Sequence, residues 1–241
     1  MASREQHQLP STNLLQTLSA GERERLFRIG TVARVEKNAL IFQAGAPSEY
    51  VYIILSGRAK IYELSPQGKE VIMWFCFTGE LFGLAEVWRG THRDVFAQAC
   101  TPVELVRFDH KQFRRYLMDN PSMAMQVIDI LSGRLRVLGD MLLNLTSTDV
   151  TARLVKLLAR FFQRYGRSRN GRIYIDIPLT HQEMADMIGC CRQTVTSTLG
   201  VLKRTHGLRT DRRMLYMEAA SSQAAAETLV KLEMDLAGSP R

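Results

Sequence analysis

The side chains best suited to specific recognition chemistry lie in the segment from Thr180 to Arg204. Thr180 and Glu183 have the spacing of a capping box, which begins a helix, and Gly189 permits a sharp turn that ends it. A second helix is predicted after this turn, because apolar residues recur there at helical spacing: Val195, Leu199 and Leu202. The segment therefore predicts two short helices joined by a tight turn.

The outer face of the second predicted helix carries groups that can read base pairs. Arg can donate two hydrogen bonds to O6 and N7 of guanine, and Gln can form a similar pair with adenine. The predicted base-reading residues are Arg192, Gln193, Thr196 and Ser197. Hydroxyl, amide and cationic groups near the two helix starts suit phosphates, which position a duplex without reading its sequence. The predicted phosphate contacts are Thr180, His181, Gln182, Cys191, Thr194 and Lys203.

The charge distribution supports a nucleic-acid partner for this part of the chain. Residues 149–241 contain 15 Lys and Arg against 9 Asp and Glu, whereas the rest of the chain contains 17 against 15. Such a local basic excess is the electrostatic footprint of a nucleic-acid-binding domain, and it would also suit RNA or an acidic membrane. Residues 206–218 add a predicted basic two-stranded wing. The alternative interpretation is a helical hairpin whose polar face is merely solvated.

The segment before residue 110 has the pattern of a small antiparallel β-roll. Turn formers separate short stretches rich in β-branched and aromatic residues. The predicted strands are Val32–Val35, Leu40–Phe42, Tyr50–Leu55, Lys60–Leu64, Val71–Phe77 and Val103–Phe108. A short helix is predicted before them, because Ser19 and Glu22 again have capping-box spacing. Glu80 and Glu86 are expected to be surface charges.

A long helix is predicted after Pro121. Its apolar residues recur at intervals of 3, 4, 3, 4 and 3, which is the seam of a parallel helix pair. The seam residues are Ile128, Leu131, Leu135, Leu138, Leu142 and Leu145. The alternative is packing against the chain's own β-roll. Further along, the sequence predicts a hinge over Leu145–Asp149, a helix over Val150–Tyr165, a basic loop over 166–172, a strand over Ile173–Ile177 and a last helix over Ser221–Leu236.

With these motifs in place, the chain from about Leu14 to Met217 resembles the superfamily of the cyclic-AMP receptor protein and the fumarate–nitrate reductase regulator. The resemblance rests on residues 44–57 (AGAPSEYVYIILSG), residues 78–87 (TGELFGLAEV) and the helix-turn-helix. Residues 120–131 and 188–199 are similar to the carbon-monoxide-sensing haem regulator of that superfamily. The resemblance implies that Arg192, Gln193 and Ser197 occupy base-reading positions.

The resemblance also implies the architecture and the partners. We expect an α+β fold with a cyclic-nucleotide-binding-like β-roll sensor over residues 1–120, a dimerisation helix and hinge over 121–147, and a winged helix-turn-helix DNA-binding domain over 148–241. The expected partners are double-stranded DNA carrying an inverted repeat, a second copy of the chain, and RNA polymerase. No membrane partner is expected, because no apolar run approaches the roughly 20 residues needed to cross a bilayer. Without a signal peptide, the chain is expected to be cytoplasmic.

The effector pocket departs from the family pattern at several positions. Gly83-Leu84 stands where the cyclic-AMP cassette has Gly-Glu, and Leu cannot bond a ribose hydroxyl. Arg93 could still pair with a phosphate, whereas Asp94 would place a carboxylate beside that anion. Leu138 aligns with an adenine contact that it cannot make. Each lost buried hydrogen bond costs about 1–3 kcal/mol, so we expect an effector other than cyclic AMP, cyclic di-GMP being one possibility.

Cofactors and catalysis are not expected. Ala85 aligns near the haem-ligand position and cannot bind iron, while His92 is interpreted as a solvated loop residue. The four cysteines are interpreted as buried or turn-lining rather than redox-sensing, and no metal site, catalytic motif or enzyme activity is predicted. One alternative stays open: a ligand-independent or architectural DNA-binding protein with a vestigial sensor domain. A nucleotide-regulated enzyme or channel subunit is a further class, but it would need a catalytic or membrane segment, and none is predicted.

Overall fold

Two antiparallel four-stranded sheets build the first part of the chain, here described from a computed structural model over residues 13–88, 92–147, 149–205, 207–211 and 214–238. One sheet has the strand order β1 (Gly30–Val35), β8 (Val103–Asp109), β3 (Tyr50–Ser56) and β6 (Leu81–Phe82). The other has the order β2 (Leu40–Phe42), β7 (Phe96–Ala99), β4 (Arg58–Leu64) and β5 (Glu70–Phe77). All six predicted strands are confirmed, whereas β6 and β7 were not predicted.

Three short helices flank this β-roll: α1 (Leu14–Thr17), α2 (Ala20–Phe27) and α3 (His110–Asp119). The predicted capping box of α2 is confirmed, because the Ser19 hydroxyl accepts from the backbone N–H of Glu22 while the Glu22 carboxylate accepts from that of Ser19. Buried side chains form two cores, one on the helix side of the roll and one around its aromatic interior, which includes Tyr52 and Phe82.

A single long helix, α4 (Pro121–Ser147), follows the roll. One face of α4 packs into the helix-side core through Met123, Val127 and Ile130. Part of the helix therefore packs on its own roll, through residues other than those of the predicted seam. The predicted hinge over 145–149 is wrong at its start, because Leu145–Ser147 continue the helix. Thr148 lies outside the described residues.

The chain divides into two compact units, Met1–Leu138 and Gly139–Arg241. The second unit contains one four-stranded sheet, in the order β11-β12-β10-β9, which consists of two hairpins. Four helices of the chain after α4 belong to the same unit. The strands are β9 (Gly166–Arg169), β10 (Arg172–Ile175), β11 (Arg209–Asp211) and β12 (Met214–Met217). The helices are α5 (Val150–Tyr165), α6 (His181–Ile188), α7 (Arg192–Thr205) and α8 (Ser222–Gly238).

In this unit, one sequence-based prediction is wrong and another can now be given a packing partner. The basic segment 166–172 is not a loop but contributes β9 and the turn into β10, with Asn170 and Gly171 both at positive φ. The last helix, α8, packs on α5 through the buried residues Ala225, Ala226 and Leu229. Its small residues let it lie close to α5 and cover the apolar side of that helix.

Candidate nucleic-acid interface and effector pocket

The helix-turn-helix is formed as the sequence predicts. Thr180 caps α6 with both bonds of the capping box, and Gly189 ends that helix at φ 67° in the left-handed region. The backbone N–H groups of Gly189 and Cys190 both reach the carbonyl of Ala185, which closes the turn. A residue with a side chain is strained at such a φ, so glycine is the residue type that suits this turn.

The second helix, α7, separates its two faces as predicted. The apolar residues Val195, Leu199 and Leu202 are buried in the second unit. The four predicted base-reading side chains are all exposed on the other face: Arg192, Gln193, Thr196 and Ser197. The exposed Arg and Gln lie at the first two positions of the helix. Their role in reading bases stays a prediction.

Two of these four side chains already have hydrogen-bond partners. The Thr196 hydroxyl donates to the carbonyl of Arg192 at 2.9 Å, and it lies 2.8 Å from Nδ1 of His181. Since the single hydroxyl proton goes to the carbonyl, His181 Nδ1–H donates to Thr196. The Ser197 hydroxyl donates to the carbonyl of Thr194 at 3.0 Å. Arg192 and Gln193 are therefore the stronger candidates for direct base contacts.

Positive charge from α7 acts on the start of α6. Burial lowers the pKa of His181, and the neighbouring cations Lys203 and Arg192 lower it further. These cations therefore act in the same direction as the N–H groups at this end of α6, which also favour anions. Gln182, by contrast, is engaged along α6 itself, because its side-chain amide donates to Asp186 at 2.8 Å.

The start of α7 carries an exposed thiol. Hydrogen bonds from the hydroxyl and then the backbone N–H of Thr194 lower the pKa of Cys191, and its Sγ lies 3.0 Å from the Thr194 hydroxyl oxygen. The six predicted phosphate-contact residues thus lie at the starts of α6 and α7, except for Lys203 near the end of α7. The predicted wing is confirmed as the β11–β12 hairpin, and its residues 206, 212 and 213 lie outside the described residues.

In the β-roll, the cassette arginine is already paired with a carboxylate. Arg93 Nη1 lies 2.5 Å from Glu86 Oε2, and the two side chains are 1% and 6% exposed. Arg93 also donates to the backbone carbonyls of Gly83 and Tyr50, and its guanidinium lies 4.3 Å from the ring centre of Phe42. The group that would have to meet a ligand phosphate is consequently neutralised and bonded within the chain.

The other predicted pocket residues are placed differently from one another. Gly83 lies beside Arg93, and its φ of 76° suits a glycine. Leu84 turns into the helix-side core, and Asp94 is exposed to solvent. Leu138 is half-buried on α4. The structure therefore brings Gly83 and Arg93 together, and it supplies the carboxylate beside Arg93 from Glu86 rather than from Asp94.

The expectation that Glu80 and Glu86 are surface charges is wrong. Both are buried, at 4% and 5% exposure. Glu86 is held by Arg93, and Glu80 accepts from the backbone N–H of Phe77 at 3.3 Å. Sequence spacing carried no signal for the ion pair, because residues seven apart in a loop share no regular face.

Sequence analysis also missed two polar neighbours of this pair. The Ser48 hydroxyl lies 3.4 Å from both Glu86 Oε2 and His110 Nε2, and His110 is buried. Burial lowers the pKa of His110, and the adjacent positive charge of Arg93 lowers it further. The half-buried Ser48 and the buried Glu86, Arg93 and His110 therefore form a polar cluster where the cassette would receive a ligand.

The described part of the chain contains neither a metal-ion cluster nor a membrane-spanning helix. There, no three or more His, Cys, Asp or Glu side chains gather in a way that could hold a metal ion. Within the same ranges, no helix has the length and apolarity needed to span a membrane.

The fold and the site together define a class of protein: a DNA-binding transcription regulator with a cyclic-nucleotide-binding-type β-roll. Residues 32–120 match the family model of the cyclic nucleotide-binding domain, and residues 152–219 match that of the Crp-like helix-turn-helix domain. The chain belongs to the family of CRP/FNR transcription regulators. Members of this family regulate transcription and are not enzymes, so the enzyme alternative is set aside.

Relatives of this chain include regulators named for different signals. The CRP-like cAMP-activated global transcriptional regulator of Mycobacterium tuberculosis is 31% identical over 159 residues, which are 66% of this chain and 71% of that protein. The global nitrogen regulator of a Nostoc species is 34% identical over 174 residues, covering 71% of this chain and 78% of that protein.

Solved structures share the fold. A mutant of CooA from Carboxydothermus hydrogenoformans superposes with a TM-score of 0.77 at 24% identity, over 94% of this chain and 99% of that chain. The c-di-GMP responsive global regulator CLP of Xanthomonas campestris gives a TM-score of 0.72 at 21% identity, over 84% of this chain and 100% of that chain. These likenesses confirm the predicted fold class and carry no information about the effector.

Proposed function

We propose that the protein binds an inverted-repeat DNA site as a homodimer and that α7 reads each half-site. The observation that carries this proposal is the exposed Arg192–Gln193 pair at the start of a helix whose opposite face is buried. A basic wing and the cations around His181 supply non-specific attraction to the phosphates. In this family setting the bound dimer would act on RNA polymerase.

The dimer proposal rests on the second face of α4. Five of the six seam residues are exposed in the single chain, at 37–71% of their surface: Ile128, Leu131, Leu135, Leu142 and Leu145. Met125 adds to this face at 64% exposure. A monomer rarely exposes so much contiguous apolar surface, and the heptad spacing suits a parallel copy of the same helix. Burying this face against its copy would remove the apolar residues from water.

The β-roll, in this proposal, does not take cyclic AMP. The Mycobacterium relative is cAMP-activated by name, but here Glu86 occupies the guanidinium that would have to meet the cyclic phosphate. A ligand phosphate would have to displace a buried carboxylate and then remain beside it. We infer that the signal is an effector other than cyclic AMP. Cyclic di-GMP and the absence of any effector are the alternatives to test.

Selection from a pool of random duplexes tests the DNA proposal. The wild type should enrich a symmetric site whose half-sites lie about 34 Å apart, one turn of B-DNA. Arg192→Ala should cost about 1–3 kcal/mol per half-site and relax the preference at one base pair. The matched control is Lys203→Ala on the same helix, which should weaken all sequences alike and reduce the salt dependence.

The outcomes of this selection separate the alternatives. If Arg192→Ala and the wild type enrich the same site with equal stringency, Arg192 does not read a base. If the wild type enriches no site with or without candidate nucleotides, the architectural alternative replaces sequence-specific regulation.

A further inference from the structure

A cleft in the second unit lies where the last turns of α4 approach α5 and α6. Its lining includes Met141, Asn144 and Leu145 of α4, Met187 of α6 and several side chains of α5. The helices touch at the edges of the cleft: Lys156 Nζ donates to Asn144 Oδ1 at 2.8 Å, and the side chain of Leu145 reaches the turn at Gly189. The cleft therefore lies directly behind the turn of the helix-turn-helix.

Three cations of α5 line this cleft together: Arg153, Lys156 and Arg160. Their spacing of three and four residues places them on one face of the helix. All three are half-buried rather than fully solvated. Burial lowers the pKa of Arg160, whereas the nearby Asp140 carboxylate acts in the opposite direction. Three cations on one face of a single helix create a positive local potential, which attracts anions.

The other lining residues of the cleft are mostly apolar and include two adaptable methionines, Met141 and Met187. Methionine side chains are flexible and polarisable, so they fit ligand bodies of varied shape. A pocket that joins an apolar wall to a few convergent polar groups is the usual form of a small-molecule site. This pairing differs from a phosphate-contact surface for DNA, which needs exposed cations rather than cations in a cleft beside methionine and leucine.

We propose that this cleft binds a small organic anion, with its carboxylate, sulfonate or phosphate group on Arg153, Lys156 and Arg160 and its apolar body against Met141, Leu145 and Met187. The bound anion would link the end of α4 to the turn at Gly189. It would thereby change the affinity of α7 for DNA. Only this regulatory consequence rests on the proposed function; the binding site itself does not.

The test uses the full-length protein and anilinonaphthalene sulfonate, a fluorescent probe that combines a sulfonate with apolar rings. The wild type should bind it saturably, with one probe per chain. Arg160→Gln should weaken binding about tenfold, the effect of losing one charge-assisted hydrogen bond, and the double variant Arg153→Gln/Arg160→Gln about a hundredfold. The matched control, Arg167→Gln, removes an exposed arginine of the same unit outside the cleft and should change nothing.

Sulfate alone, which has the charge without the apolar body, should compete only weakly. Thermal unfolding of each variant, followed by circular dichroism, shows whether a loss of probe binding comes from a loss of folded protein. Equal fluorescence in the wild type and the double variant would show that the probe binds elsewhere, such as the apolar face of α4, and would overturn the site.

The regulatory consequence has its own readout. Saturating probe should shift the affinity of the wild type for its selected duplex at least threefold and leave that of the double variant unchanged. Arginine-dependent probe binding with no change in duplex affinity would overturn the regulatory link. If no duplex is selected at all, the proposed function fails while the probe titration still decides the site.

Discussion

Replacing Glu86 by Gln tests whether the cassette arginine is neutralised from within the chain. Gln keeps the size of the side chain and its capacity to hydrogen-bond, and it removes only the charge. Arg93 would then remain 1% exposed beside an amide instead of a carboxylate. Removing one partner of a buried ion pair costs about 3–5 kcal/mol, because the other charge stays buried without compensation.

The structure places the expected loss at the lower end of that range. Arg93 keeps its hydrogen bonds to the carbonyls of Gly83 and Tyr50 and its contact with the Phe42 ring. We therefore expect Glu86→Gln to lower the free energy of unfolding by about 3 kcal/mol. The matched control is Glu104→Gln, whose partner Arg34 is 84% exposed. An exposed pair of this kind contributes about 0–1 kcal/mol.

Urea unfolding followed by tryptophan fluorescence measures the stability of the first unit, which contains both substituted residues. The two tryptophans, Trp74 and Trp88, both precede residue 138, so their signal reports the unit that contains the pair. Sulfate should restore stability to Glu86→Gln and not to the wild type, by about 2.7 kcal/mol at a hundred times its dissociation constant. Two results would contradict the proposal that Glu86 stands where a ligand phosphate would bind. One is a stability loss no larger than that of Glu104→Gln, and the other is an equal effect of sulfate on Glu86→Gln and the wild type.

Three further predictions follow from the described geometry. Leu135→Glu, which changes a side chain 71% exposed in the single chain, should convert the dimer to a monomer in sedimentation equilibrium, and an undisturbed dimer would exclude α4 as the interface. The pKa of His110 lies below its ordinary value, so the unfolding free energy should fall as pH falls below about 6.5. His110→Gln should flatten that slope in urea titrations, and a slope that persists would assign it to other groups. Gly189→Ala, at φ 67° and with Leu145 3.3 Å from the added Cβ, should cost about 1–3 kcal/mol in thermal unfolding, and an unchanged melt would show that the turn relaxes freely.

The sequence predicted those parts of the fold that local patterns control. The α6 capping box, the glycine at the turn and the buried face of α7 all depend on residues within a few positions of one another. The strands of the roll were found for the same reason, because β-branched and aromatic runs between turn formers are local signals. β6 was missed because a strand of two residues, Leu81 and Phe82, has no period to detect.

Two errors came from different physical causes. The β9–β10 hairpin carried a local signal that was passed over: Asn170-Gly171 is a dipeptide that favours hairpin turns with positive φ. The predicted hinge over 145–149 contains Thr and Ser residues. Such residues are only weak helix formers, and the helix begun at Pro121 continues through Ser147.

The effector pocket could not be predicted from the sequence because its chemistry is tertiary. Arg93 meets a carboxylate from Glu86, carbonyls from a glycine turn and from β3, and an aromatic ring from β2. Of these partners only Gly83 was predicted in the pocket, whereas Glu86 was expected at the surface and Tyr50 and Phe42 were predicted only as strand residues. An arginine at this position of the sequence is therefore compatible with two structures. Its guanidinium can be free to bind a ligand phosphate, or it can be bonded to other residues of the chain, as it is here.

Arg93 has a structural role here that does not depend on any nucleotide. Its bond to Tyr50 holds the cassette loop to β3, and its bond to Gly83 holds the two ends of that loop together across ten residues. The charge that these bonds require to be buried is balanced by Glu86, since an unpaired buried guanidinium would be costly. A buried Arg93 therefore needs the carboxylate of Glu86 beside it, and that carboxylate repels a second anion at the same place. Under the proposed function, we therefore expect an anionic signal to act at another surface of this protein.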